Sequence, residues 1–105
     1  MEQFDLYVNP DQDTNQTYPY FVDIQNSLLD TLNSRVVTPL TPVQKSDKTY
    51  PKHLCPVNEI KNKQFVLLTH QLTSVSVSFL IEKEASLTDC REDIVAAIDF
   101  LVTGI

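Results

Sequence analysis

Residues 86–105, SLTDCREDIVAAIDFLVTGI, decide the fold class because they hold the helical pattern on which the rest of the chain must pack. At 100° per residue, apolar side chains recur on one side, which is typical of a helix that covers a core. These residues are Leu87, Cys90, Ile94, Ile98, Leu101 and Ile105, with Ala97 and Val102 beside them. The stretch therefore predicts one amphipathic C-terminal helix.

The two ends of this helix differ in how well they follow local preferences. Ser86, with Asp89 three positions on, predicts an N-cap followed by an acidic first turn. At the other end, Asp99 and the terminal carboxylate lie where Lys, Arg or His is preferred, and Phe100 lies among the charged positions as an exposed aromatic. Gly104, the only glycine, suits a left-handed helix end. Broken preferences predict a binding site here, and a frayed tail is the alternative.

Length and charge restrict the class of protein. The chain has 105 residues, 42% of them hydrophobic, which predicts a single domain over residues 1–105. A formal net charge of −6 argues against direct binding of nucleic acid, which relies on clustered Lys and Arg. No stretch reaches the ~18 apolar residues of a membrane span, and residues 1–5 do not resemble a signal peptide. We therefore expect a cytoplasmic protein with no membrane partner, whose Cys55 and Cys90 are free, buried thiols.

The remaining chain predicts short strands. Alternating or β-branched runs predict strands over residues 4–8, 20–25, 35–40 and 73–80, and a hairpin of 57–60 with 64–69 around residues 61–63. Pro39, Pro42 and Pro51 predict edges and loops around the third strand. Several short strands followed by one helix predict a mainly β (α+β) fold, a small bent antiparallel sheet or barrel with the helix packed against it.

The sequence contains no strong catalytic or metal-binding motif. Its single glycine excludes Gly-rich phosphate loops and the nucleophile elbow. His53 and Cys55 are two residues apart, but no further spacing completes a zinc site. Asp11 with Glu59 and Lys61 is similar to the acidic pattern of metal-dependent nucleases. That chemistry requires both acids on adjacent sheet elements, and Asp11 is predicted to lie in a loop. We therefore expect no catalytic residue, no metal and no cofactor.

Several segments together resemble the CcdB toxins of bacterial toxin–antitoxin systems. They are residues 20–25 (YFVDIQ), 39–40 (PL), 54–57 (LCPV), 73–77 (TSVSV) and the ending 97–105 (AIDFLVTGI). The resemblance spans nearly the whole chain. It implies an SH3-like barrel of antiparallel strands with a C-terminal α-helix, assembled as a symmetric homodimer.

The resemblance also implies a function in which the chain itself catalyses nothing. Toxins of this family bind the A subunit of DNA gyrase at its central gate and trap the enzyme on cleaved DNA, which causes double-strand breaks. A CcdA-type antitoxin neutralises the toxin through a disordered C-terminal segment, and the pair represses its own operon. DNA is then contacted only indirectly, through gyrase or through the antitoxin complex.

The predicted site residues lie in four parts of the chain. The family's gyrase-contacting residues are its last three, and alignment adds one earlier segment. The predicted gyrase-binding set is Thr103, Gly104, Ile105, Asn26, Leu28 and Leu29, together with Asp99 and Val102 from the helix. Phe100 is added to this set from its position on the helical wheel and not from the resemblance. The predicted antitoxin-binding set lies in two loops and contains Asn9, Pro10, Asp11, Gln44, Lys45 and Ser46.

The chain departs from the better-known family pattern at Thr103, where that pattern has Trp before the final Gly-Ile. An arginine stacked on Trp contributes about 0.5–2 kcal/mol, which a threonine cannot supply. An inactive relative that binds only its antitoxin is thus one alternative. A second is an endoribonuclease toxin of the Kid and MazF type on the same barrel, for which Arg35, Arg91 and His70 are the imaginable acid and base groups, although no spacing supports them.

Overall fold

The computed structural model describes residues 2–43 and 50–104, which form seven antiparallel strands and one α-helix. In chain order these are β1 (Asp5–Val8), β2 (Tyr20–Asp23), β3 (Ser34–Pro42), β4 (Val57–Ile60), β5 (Lys63–Leu67), β6 (Thr73–Ser76), β7 (Lys83–Ser86) and α1 (Arg91–Thr103). The sheet has the order β4-β5-β3-β2-β1-β7, and β6 pairs with β3 outside this path. The predicted mainly β (α+β) fold with a C-terminal helix is confirmed.

The nine-residue strand β3 is the centre of the sheet. Along one edge its residues 34–37 pair with β6 and its residues 40–42 pair with β5, while its other edge pairs with β2. Pro39 falls between the two partners of the first edge, and its carbonyl accepts a hydrogen bond from Leu68 N at 2.9 Å. Proline has no N–H to donate. Position 39 lies in the gap between β6 and β5, where neither strand pairing requires a hydrogen-bond donor from β3. The prediction that Pro39 marks a sheet edge is wrong for this reason.

The core lies between the sheet and α1. Leu6, Val22 and Leu40 from three neighbouring strands are 0% exposed and belong to one apolar cluster with Ile94. Ala97 is also fully buried on the same side of the helix. Removing one such leucine or isoleucine side chain from water stabilises the fold by about 1.5–3 kcal/mol. This packing fixes the helix on the sheet.

The apolar face predicted for α1 is confirmed as far as Ile98, which packs against the core cluster. It is wrong for Leu101, which is 39% exposed. Periodicity reports the side of the helix on which a residue lies, and it does not report how far the core extends beneath that side. The last turn therefore projects past the core. Within residues 2–43 and 50–104, no helix has both the length and the apolar character that crossing a membrane requires.

The start of the helical region also differs from the prediction. Ser86 ends β7, and its Oγ accepts from Thr88 N at 3.3 Å. The short 3-10 helix Thr88–Cys90 nevertheless has Leu87 as its N-cap, without a side-chain capping bond. The regular helix begins only at Arg91, and its N-cap Cys90 makes no side-chain capping bond. The predicted N-cap at Ser86 is therefore wrong both for α1 and for the 3-10 helix that precedes it.

The strand predicted over residues 73–80 ends early, at Ser76. The Ser76 Oγ accepts from Ser78 N at 3.3 Å and turns the chain into a 3-10 helix over Val77–Phe79. A serine that bonds its own backbone competes with strand pairing, and an alternating pattern does not reveal this. The sequence pattern did not predict β7 either. Its Lys83–Ser86 stretch has no β-branched or aromatic residue, and it forms a strand because it pairs with β1.

The predicted β4–β5 hairpin is confirmed. Its turn consists of Lys61 and Asn62, whose φ values of 52° and 66° are those of a two-residue type I′ connection. The two cysteines are free as expected, with Cys55 buried and Cys90 half-buried. Burial raises the pKa of both thiols, so both are neutral near pH 7.

A buried ion pair joins β2 to β3. Arg35 is 1% exposed, and its Nη2 lies 2.6 Å from Oδ2 of Asp23, which is 0% exposed. The Arg35 Nε–H donates to the same oxygen at 2.9 Å, and the backbone N–H of Gln25 donates to Oδ1 at 2.9 Å. Burial raises the pKa of the Asp23 carboxyl, and the hydrogen bonds from Arg35 and Gln25 oppose that rise. Each charge is tolerated in the interior only because its partner is present.

We predict that Asp23→Leu and Arg35→Met each lower the free energy of unfolding by about 3–5 kcal/mol, because each leaves one buried charge without its main partner. The double variant leaves no charge at either position and should lose clearly less than the sum of the two single losses. Urea denaturation of the four proteins measures this. Losses that simply add would contradict the coupling of Asp23 with Arg35.

Candidate functional site

The last turn of α1 closes on Gly104. Its φ of 75° and ψ of 16° are left-handed, and its N–H donates to the Phe100 carbonyl at 2.9 Å. A Cβ built at this position meets nothing within 4 Å. Glycine is therefore favoured here by backbone conformation and not by a lack of space. The prediction that Gly104 closes the helix is confirmed.

The side chains around this closure form an apolar and acidic surface. Val102 is 75% exposed, Asp99 is exposed, and the last turn has no basic residue. The Thr103 Oγ1 donates to the Asp99 carbonyl at 2.6 Å, so this hydroxyl is already satisfied within the helix. The negative end of the helix dipole adds to the charge of Asp99. This surface suits a partner that combines apolar area with cationic groups. Ile105 lies outside the described residues.

Phe100 does not present a free ring. It is half-buried, and its ring centroid lies 6.2 Å from that of His53 at an interplanar angle of 48°. The prediction of an exposed aromatic at the C-terminus is wrong, because the segment after residue 50 folds over this part of the helix. The same segment is fixed at Cys55, whose Sγ lies 3.6 Å from His70 Nδ1. Both histidines thus have structural neighbours.

The second predicted gyrase-binding segment contains the short 3-10 helix Ser27–Leu29. We call residues 26–32, which include this helix and its flanks, the leucine turn. Asn26 caps it, since its Oδ1 accepts from Leu28 N at 2.9 Å. Leu28 is 86% exposed and Leu29 48%. Leu32 is 49% exposed, and its N–H donates to the Leu29 carbonyl at 3.1 Å. Sequence reasoning missed Leu32, although it follows the same apolar pair closely in the chain.

Buried polar side chains hold the leucine turn. The Gln25 Nε2 donates to the carbonyls of Leu29 at 3.2 Å and Ser34 at 3.3 Å. The Arg35 guanidinium, besides its bonds to Asp23, forms an ion pair with Asp30 through Nη1 and donates from Nη2 to the Gln25 carbonyl at 3.3 Å. Sequence reasoning did not assign these roles. The sequence did contain a signal for these roles, because Asp23, Gln25 and Arg35 are polar residues within runs that otherwise predict buried strands.

The structure does not bring the leucine turn and the helix end together in one chain. Ser27 and Asp30 line a shallow depression with Thr88 and Arg91, which places the turn beside the start of α1. Thr103 lies at the other end of this 13-residue helix, about 18–20 Å away along its axis. One chain therefore presents two separate candidate surfaces.

The first predicted antitoxin loop has a structural residue at its base. Asn9 is 1% exposed, and its Nδ2 donates to Tyr18 O at 2.8 Å and to Thr14 Oγ1 at 3.0 Å. This geometry shapes the loop, and Pro10 and Asp11 are exposed on it. The other three predicted antitoxin contacts, Gln44, Lys45 and Ser46, lie outside the described residues.

The groups considered for nuclease chemistry are engaged elsewhere. Lys61 forms an ion pair with Glu84 at 2.9 Å, and the Asp11 carboxylate accepts from Asp13 N and Thr14 Oγ1. Arg35 is buried in the Asp23 pair. Within the part of the chain that the structure describes, no three His, Cys, Asp or Glu side chains cluster closely enough to hold a metal ion.

Comparison with known families gives one match to a family model, described as CcdB protein, over residues 3–104. The match includes every described element, from β1 to the end of α1, and it contains both candidate surfaces. The chain therefore belongs to the CcdB family, whose members are toxins of toxin–antitoxin systems of the ccd type.

Proposed function

We propose that this protein poisons DNA gyrase. As a symmetric homodimer in the cytoplasm, it binds the A subunit of gyrase and stabilises the complex in which the enzyme has cleaved DNA, so that double-strand breaks persist. The observation that carries this proposal is the projecting end of α1, with Val102 75% exposed, no basic residue and a left-handed Gly104. Membership of the CcdB family supports the same target.

The mechanism requires only differential binding. A ligand shifts an equilibrium by the ratio of its affinities for the two states, so the toxin must bind the cleaved gyrase–DNA complex more tightly than the resealed one. A 100-fold preference corresponds to about 2.7 kcal/mol. A two-fold symmetric toxin presents each of its surfaces twice, which matches a two-fold symmetric gyrase gate. The chain supplies binding surfaces, and the cleavage chemistry belongs to gyrase.

Charge favours a protein partner over DNA. The net charge of −6 repels phosphates but attracts cationic side chains, and Asp99 at the helix end concentrates negative charge at the proposed contact. DNA is thus reached only through gyrase or, in autorepression of the operon, through the complex with a CcdA-type antitoxin. The exposed Pro10 and Asp11 are available to that antitoxin.

The alternative of an endoribonuclease gains no support from the geometry. Arg35 is 1% exposed and paired with two carboxylates, so RNA cannot reach its guanidinium. Arg91 lines the depression beside Ser27, whereas His70 contacts Cys55 and the ring of Tyr50. These contacts do not assemble the three groups around one cleft.

The direct test incubates purified gyrase with supercoiled plasmid, ATP and the toxin, then scores linear DNA after denaturing the enzyme. We expect linear DNA with the intact chain and none with a version that lacks Gly104 and Ile105, because the helix end is the proposed contact. Circular dichroism should show both versions folded. Linear DNA from the truncated toxin would contradict the assignment, and RNA degradation without gyrase would favour the endoribonuclease.

A matched pair of substitutions tests the helix end more finely. Val102 is 75% exposed and Ile81 is 80% exposed, so serine at either position should change folding stability little. We predict that Val102→Ser weakens binding to the gyrase A subunit about tenfold or more, which is the size of effect expected if Val102 is a hot spot of the interface. Ile81→Ser should bind like the unchanged toxin. Equal losses from both variants, measured by surface plasmon resonance, would exclude a specific role for Val102.

Substitutions at position 103 test how much gyrase affinity depends on having threonine in place of the tryptophan of the better-known family pattern. Thr103→Val should leave gyrase binding nearly unchanged, because the hydroxyl already donates its proton to the Asp99 carbonyl within the helix. Thr103→Trp should tighten binding by roughly 2- to 30-fold, the range given by an added arginine–tryptophan stack. Titration calorimetry with the gyrase A subunit measures both. A large loss with Thr103→Val would show that the hydroxyl contacts gyrase directly.

A further inference from the structure

The leucine turn combines an exposed apolar surface with a rigid polar base. Leu28, Leu29 and Leu32 are 86%, 48% and 49% exposed, although each would gain by burial. Two buried side chains, Gln25 and Arg35, meanwhile bind the backbone and the flank of the same turn. Buried polar groups that hold exposed leucines in place break local preferences, as is expected at a binding site.

We propose that the Asp30–Arg35 ion pair positions the leucine turn for binding to gyrase, with Leu32 part of the same contact surface. This inference rests on the proposed function and assigns roles to three residues that the family resemblance did not supply. Asp30 and Arg35 act through the turn, so they are positioning residues and do not themselves contact the partner.

Arg35 and Asp30 differ in the number of contacts that each makes besides their ion pair. Arg35 keeps its bonds to Asp23 Oδ2 and to the Gln25 carbonyl when Asp30 is removed, so the interior of the sheet stays paired. Asp30 has a side chain 49% exposed and lies directly after the 3-10 helix Ser27–Leu29. Loss of its carboxylate therefore frees the end of the turn without leaving a buried charge alone.

A freed turn must be ordered again when it binds. That cost of ordering raises the dissociation constant even though every leucine is still present. A preorganised turn holds Leu28 and Leu29 in the geometry that the partner needs before contact is made. The ion pair thus contributes to affinity without entering the interface.

The test measures the Kd of the gyrase A subunit for the unchanged chain, Asp30→Ala, Asp30→Asn and a charge control, Glu59→Ala on the exposed face of β4. We expect the Kd of Asp30→Ala to be roughly 3- to 10-fold higher, as the loss of preorganisation implies. Asp30→Asn should lie between it and the unchanged chain, because its amide oxygen still accepts from Arg35. Glu59→Ala should show no change.

Hydrogen exchange of the free toxins separates positioning from direct contact. In Asp30→Ala, the amides of residues 27–32 should exchange faster while those of β2 and β3 keep their protection. Weaker binding with unchanged exchange would mean that Asp30 touches gyrase itself, which overturns the inference. An unchanged Kd for Asp30→Ala also overturns it and leaves the proposed function intact. Absence of any binding by the unchanged toxin would overturn the proposed function and the inference together.

Discussion

The buried guanidinium of Arg35 is the group on which the structure depends most. It lies on the central strand and joins three parts of the chain: Asp23 on β2, the Gln25 carbonyl, and Asp30 at the end of the leucine turn. An isolated charge in this position would be costly, and the surrounding acceptors offset that cost. One side chain therefore links the integrity of the sheet to the shape of a candidate binding surface.

The second candidate surface depends on what the core leaves uncovered. The buried side of α1 ends near Ile98, and the following turn projects with Val102 exposed and Gly104 closing the helix. The contact between Phe100 and His53 steadies this projection from the side. Because the leucine turn lies beside the start of α1, the proposed contact with gyrase reaches both surfaces only in one of two ways. Gyrase spans the length of α1, or the proposed symmetric dimer brings the surfaces of two chains together.

Local chemistry made part of this structure predictable. The β4–β5 hairpin, the C-terminal helix and the left-handed Gly104 follow from signals within a few residues of each feature. The edge strand β7, the exposure of Leu101 and the half-burial of Phe100 depend on distant segments, so periodicity could not reveal them. The Arg35 network escaped for the same reason, since its partners lie 5 to 12 residues away in sequence. The family resemblance supplied Leu28 and Leu29, and only the structure supplied what holds them.

The central claim is that gyrase contacts the leucine turn and the helix end in the same complex. Hydrogen exchange of the toxin, free and bound to the gyrase A subunit, measures this most directly because it reports every backbone amide at once. The account predicts new protection in residues 26–32 and 99–104 together, with β4 unchanged. Protection confined to β4 and the neighbouring segment, or absent from either predicted surface, would contradict it.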